Sequence, residues 1–66
     1  MKIIANDSEF EVSHGCSLPE FLESIGYQLG IVVVERNRQA LAPSEATETI
    51  LEEGDRLEIV KIVAGG

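Results

Sequence analysis

The chain has 66 residues, 44% of them apolar, which is enough for one domain with one thin core. Such a core leaves no space for an enclosed substrate cavity, which needs roughly 300 Å³ or more of lined pocket, so the sequence reads as a binding or carrier module and not as an enzyme. Twelve acidic residues against five basic ones give a net charge of −7, which excludes nucleic acid and anionic membrane surfaces as partners and favours a basic protein partner.

Lys2 to Ala5 is a short β-prone run. Asn6, Asp7 and Ser8 form a predicted three-residue turn, and Glu9 to Ser13 alternates polar and apolar with the period of a half-buried strand. His14 and Gly15 break the pattern. Ser17-Leu18-Pro19-Glu20 then reads as a helix start: Ser17 caps the N–H of Glu20, Glu20 reaches back to the N–H of Ser17, and Pro19 sits in the first turn. Leu18, Phe21, Leu22 and Ile25 fall on one face, and Gly26 supplies the left-handed residue that ends the helix. Ile31 to Val34 is a continuous β-branched run, the mark of a strand buried on both faces or covered by a partner. Glu35 to Gln39 should turn, Ala40 to Ala42 is a weak second arm, and Pro43 stops it. Ser44 to Glu48 is expected to form a single helical turn capped by Ser44. Ile50 and Leu51 return to the core. Glu52 to Asp55 is a tight turn with Gly54 at positive φ. Arg56 to Val63 is the longest strand, followed by the slim segment Ala64-Gly65-Gly66.

The order is β-β-α-β-β-β. A hairpin, one helix and further strands imply an α+β fold in which the helix lies on one face of a mixed sheet. With the first and last strands paired at the centre, this is the ubiquitin-like β-grasp layout over residues 1–66, as a single domain.

Gly65-Gly66 is the sharpest chemical feature. A terminal carboxylate on Gly66 can be activated by ATP to an acyl adenylate, and Ala64 and Gly65 are slim enough to thread a narrow channel in another enzyme. The last strand adds a second feature. Leu57 and Ile59 face the core, while Val60, Ile62 and Val63 put apolar residues on the opposite register. Together with Val32 and Val34 they are candidates for an exposed patch that binds a partner.

Cys16 is the only cysteine and His14 the only histidine, so the chain has neither an internal disulfide nor a Cys/His metal set. His14-Gly15-Cys16 reads as a loop histidine beside a small buried cysteine, with no orienting carboxylate for nucleophilic catalysis. Glu52, Glu53 and Asp55 read as a solvated turn and not as a metal site. Arg56 and Lys61 read as surface residues. No catalytic residue and no bound cofactor are expected. No apolar run approaches the ~20 residues of a membrane span, and Met1 to Ala5 is too short for a signal sequence, so a cytoplasmic location is expected.

These residues carry a resemblance. Met1 to Asn6, Ser17-Leu18-Pro19-Glu20-Phe21-Leu22, Gly54-Asp55-Arg56-Leu57-Glu58-Ile59-Val60 and Val63-Ala64-Gly65-Gly66 make the chain similar to the ThiS-type sulfur carriers of thiamine biosynthesis. The related molybdopterin carriers (MoaD) share fold and tail but are usually longer, with prolines before the last residues, which Val60-Lys61-Ile62-Val63 lacks. The chain departs from the family at Asn37-Arg38, where Asn-Gly is usual. A two-residue type I′ turn would put Arg38 at positive φ, so a different turn or a longer loop is expected.

The resemblance implies that a ThiF-type enzyme adenylates Gly66 with Mg-ATP. Sulfur from a donor such as a cysteine desulfurase then makes a thiocarboxylate, and thiazole synthase consumes it. Two alternatives stand beside it: a carrier for molybdopterin or another pathway, and a β-grasp interaction module that uses its tail only as a tether.

Overall fold

The computed structural model describes residues 1–62. Five strands form one mixed sheet in the order β2-β1-β5-β3-β4. They are β1 (Lys2–Ala5), β2 (Ser8–Glu11), β3 (Val32–Arg36), β4 (Gln39–Ala40) and β5 (Arg56–Lys61). Helix α1 (Leu18–Ser24) follows the first hairpin, a 3₁₀ turn spans Leu29–Ile31, and a short helix α2 (Pro43–Glu48) precedes β5. Strand β5 lies parallel to β1 and antiparallel to β3, so the last strand in sequence is the middle strand in space.

Helix α1 starts where local chemistry dictates. Ser17 Oγ accepts from the Glu20 N–H at 3.2 Å, and Pro19 occupies the first turn. The return bond differs from expectation: the Ser17 hydroxyl donates to the Glu20 carboxylate at 3.0 Å. Gly26, with φ +90, ends the helix in the left-handed conformation that L side chains resist. Leu18, Phe21 and Leu22 point into the sheet, where they meet Ile3, Ala5, Leu57 and Ile59. Phe10 packs edge-on against Phe21 with centroids 5.1 Å apart, closing the β2 side of the core.

The structure corrects several expectations. The first hairpin turn has two residues, because Ser8 already pairs with Ala5; β2 accordingly runs from Ser8 and ends at Glu11. Helix α2 is capped by Ala42, not Ser44: the Ala42 N–H donates to the Glu45 carboxylate at 2.8 Å. Ile50 is 52% exposed while Leu51 is buried. This segment is extended and bridged to Ser17, so neighbouring side chains point to opposite sides.

Val32 and Val34 are core residues at 7% and 2% exposure, which removes them from the candidate binding patch. Strand β3 is half-buried, not buried on both sides. The strand follows a 3₁₀ turn at Leu29–Ile31, and Val33 takes the outward position at 45% exposure.

The Asn37-Arg38 expectation is also overturned. Arg36 pairs with Gln39, and Asn37 and Arg38 take φ of 50 and 71, the positive values a type I′ turn requires. The Asn37 N–H donates to the Arg56 carbonyl at 2.8 Å, and its side-chain amide donates to Asp55 at 3.1 Å while its side-chain oxygen accepts from the Arg56 N–H at 3.0 Å. These contacts hold a backbone state that Arg38 disfavours locally.

Candidate functional site

One face of the sheet carries α1 and the core; among the described residues nothing packs over the other, where Val33 and Val60 are exposed. Register places Val33 directly opposite Val60, and Glu35 directly opposite Glu58. Ile4 pairs with both Glu9 and Arg56 on that same outer face. Val60 is 61% exposed, as the broken alternation of β5 predicted, and Ile62 is exposed too. The outer face therefore carries exposed Val33 and Val60 and half-buried Ile4, rimmed by Glu9, Glu11, Glu35 and Glu58 with Lys2 and Arg56 as its cations. Exposed apolar contacts ringed by charge are the usual anatomy of a docking surface.

Ile62 continues this surface around the sheet end. Its N–H donates to the Ile31 carbonyl at 2.8 Å, and its side chain borders an apolar notch of about 200 Å³ with Leu29, Leu41 and Pro43. Val63, Ala64, Gly65 and Gly66, the remaining candidates, lie outside the described residues.

Two asparagines fix the strand that leads to those residues. Asn37 bonds the backbone at Arg56, as above. Asn6, in the β1–β2 turn, sends its side chain 53 positions along the chain. Its Oδ1 accepts from the Ile59 N–H at 2.7 Å and its Nδ2 donates to the Ile59 carbonyl at 3.0 Å. Sequence reading missed both roles. The available signal was an Asn in a short turn, which favours positive φ but does not reveal what its side chain reaches.

Asp55 was also misread. It is 4% exposed, not part of a solvated turn. Its carboxylate accepts from the Glu52 N–H at 2.8 Å, Arg36 Nε at 3.0 Å and Asn37 Nδ2 at 3.1 Å, and lies 2.9 Å from Arg36 Nη2 in an ion pair. Burial alone would push its pKa up. The Glu52 N–H, the Arg36 guanidinium and the Asn37 amide outweigh burial and hold it below its ordinary 3.8. With Gly54 at φ +81, this cluster forms the corner from which β5 begins.

His14, Gly15 and Cys16 line an open groove of about 400 Å³ beside Glu20 and Phe21. Partial burial and the negative field of Glu20 push the Cys16 thiol above its ordinary 9.0, the reverse of what a nucleophilic cysteine needs. Among the described residues no three metal-ligating side chains come together, and no helix is long and apolar enough to cross a membrane.

A five-stranded mixed sheet with its last strand central and helix α1 across one face defines a β-grasp module. The ThiS family model matches residues 1–66, and the chain belongs to the ThiS family. It is similar over its whole length, at TM-score 0.80 and 25% identity, to the crystal structure of the thiamine biosynthesis protein (ThiS) from Geobacter metallireducens, all of whose chain is covered. It is also 32% identical over 66 residues to a protein named thiazole synthase from Paramagnetospirillum magneticum. The chain spans only 20% of the length of that relative.

Proposed function

We propose that this chain is the sulfur carrier for thiazole formation in thiamine biosynthesis, a protein co-substrate and not an enzyme. The observation that carries the reading is the ThiS family match over residues 1–66, reaching Gly65-Gly66. The chemistry is simple to balance. Mg-ATP, bound by a ThiF-type partner, converts the Gly66 carboxylate to an acyl adenylate with release of pyrophosphate. The terminal sulfur of a persulfide, supplied by a donor such as a cysteine desulfurase, displaces AMP. A thiol then cleaves the resulting acyl disulfide, leaving a thiocarboxylate on Gly66. Thiazole synthase takes that sulfur.

The outer face fits the docking step. Val33, Val60 and Ile62 offer apolar contact, Ile62 being the residue before Val63 in sequence, and the acidic rim favours a partner surface bearing Lys and Arg. The relative from Paramagnetospirillum magneticum supports thiazole synthase as the consumer, since a stretch like this chain makes up 20% of a protein of that name.

The test is intact-protein mass spectrometry after incubation with ATP, the adenylating enzyme, a persulfide source and a thiol. The expected product gains the mass difference between one sulfur and one oxygen, once per chain. Gly66→Ala should abolish the gain, and Val60→Glu should slow it. If wild-type protein shows no mass gain with partners that modify their own carrier, the reading is wrong. Consumption of the thiocarboxylate by thiazole synthase, and not by a molybdopterin synthase, separates the two carrier pathways.

A further inference from the structure

We propose that Asn6 is a positioning residue that fixes the outgoing end of β5, and with it the direction in which the carrier's last residues are presented. The claim that presentation suffers rests on the carrier reading above; the claim that Asn6 fixes the strand end does not.

The geometry is that of a strand continued by a side chain. Along β1 the parallel ladder to β5 uses backbone groups: the Ile4 N–H donates to the Asp55 carbonyl and the Asn6 N–H to the Leu57 carbonyl. The chain then turns away at Asn6, whose φ is 48, and the next rung is at Ile59. There the Asn6 carboxamide stands where a backbone peptide would, accepting from the Ile59 N–H and donating to its carbonyl. A carboxamide has the same donor and acceptor as a peptide group, so the ladder gains one rung after β1 has ended.

Past that rung the support becomes one-sided. The register of β5 with β1 covers Arg56 and Leu57, whereas its register with β3 continues through Val60 and Lys61, and the Ile62 N–H still reaches the Ile31 carbonyl. Ile59 is thus the last point at which β5 is held from both sides. Without the Asn6 rung, residues 58 to 62 would hang on β3 alone, and Val60 and Ile62, the docking residues, lie within that stretch. Asp7, the other left-handed residue of the turn at φ 68, makes no such contact. Its carboxylate only approaches exposed Arg56, at 3.8 Å.

The test compares Asn6→Gly with Asp7→Gly. Glycine accepts the positive φ at both positions, so only Asn6→Gly removes a rung. Amide hydrogen exchange is the first readout. In Asn6→Gly the amides of Ile59 and Ile62 should exchange at least about tenfold faster than in wild type, while those of Leu22 and Leu57 change less than about threefold. Asp7→Gly should match wild type. A uniform acceleration of all four amides would mean that Asn6 only adds global stability, and no acceleration would mean that the rung carries no constraint; either result overturns the proposal.

The second readout is adenylation by the ThiF-type enzyme at a temperature where each variant is folded. Asn6→Gly should lower kcat/KM for the carrier at least about fivefold, and Asp7→Gly should not. Wild-type rates in Asn6→Gly, with wild type active, would refute the positioning role while leaving the carrier reading in place. An inactive wild type would refute the carrier reading, and the exchange result would still decide whether Asn6 fixes the strand end. If Asn6→Gly does not fold, Asn6→Asp serves instead. It keeps the acceptor for the Ile59 N–H but turns the donor facing the Ile59 carbonyl into a second acceptor.

Discussion

Asp55 offers the most direct test of how β5 is anchored. The carboxylate is buried, accepts three hydrogen bonds, from the Glu52 N–H, Arg36 Nε and the Asn37 amide, and forms an ion pair with Arg36 Nη2 at 2.9 Å. In Asp55→Ala the Glu52 N–H and the Asn37 amide each lose a partner. Arg36 is left less exposed to compensation, since its side chain is only 24% exposed, although it keeps the Ile50 carbonyl at 3.3 Å and Glu52 at 3.5 Å. Hydrogen bonds to charged groups contribute about 1.5–3 kcal/mol, and breaking a fully buried pair costs about 3–5 kcal/mol. The partial exposure of Arg36 and its two remaining partners place the loss at about 2–4 kcal/mol. For a domain of this size that lowers the melting temperature by about 10–25 °C.

The pH dependence follows from the direction of the pKa. Because the folded carboxyl titrates below its ordinary 3.8, its contribution is full above that value and is lost as pH falls through the folded pKa. Chemical denaturation of wild type and Asp55→Asn across acidic to neutral pH should therefore show a gap that is widest at neutral pH and narrows below 3.8. A loss under about 1 kcal/mol in Asp55→Ala, or a gap independent of pH, would refute the buried cluster.

Two further outcomes separate the faces of the sheet. Val34→Ala should destabilise the protein by about 1–3 kcal/mol, whereas Val33→Ala should change stability by less than about 0.5 kcal/mol; equal effects in denaturant melts would contradict the observed phase of β3. Glu35 and Glu58 oppose each other across the strands, and like charges so placed repel, so Glu35→Lys should raise stability by about 0.2–1 kcal/mol. The same substitution should weaken binding to the adenylating enzyme, measured by calorimetry, because it inverts one charge of the rim. Unchanged or tighter binding would rule out a basic partner surface.

What the sequence disclosed was whatever depends on near neighbours. Ser17, Pro19 and Glu20 mark the start of α1 because capping is decided within one turn. Gly26 and Gly54 mark sites of positive φ because only glycine takes that conformation freely. The phase of β3 was not legible: Ile31-Val32-Val33-Val34 has no polar residue to show which side chains face inward, and the pairing partner that shares its phase, β5, is distant in sequence. Arg38 at positive φ was misjudged for a related reason. Its own preference opposes the turn, and the compensation comes from Asp55 and Arg56, which are distant in sequence. Asp55 looked like one of several acids in a turn because its partners, Arg36 and Asn37, belong to another hairpin.

The placement of β5 explains how so small a chain can both hold a core on one sheet face and leave Val60 exposed on the other. As the middle strand it contributes Leu57 and Ile59 inward, and its neighbours on either side are locked to it by backbone rungs, by Asn37 near its start and by Asn6 at Ile59. An edge strand could not fix its own end in this way, since one side would be free along its whole length. The outer face then needs only to avoid the wrong partners. Two copies meeting through Val33 and Val60 would bring Glu9, Glu11, Glu35 and Glu58 against the same acids, and that repulsion opposes self-association at the moderate salt concentrations where the Debye length is about 8–10 Å. A partner with a Lys and Arg rim meets the opposite field. The acidic rim therefore opposes a second copy at this face and favours a basic protein surface over its exposed apolar residues.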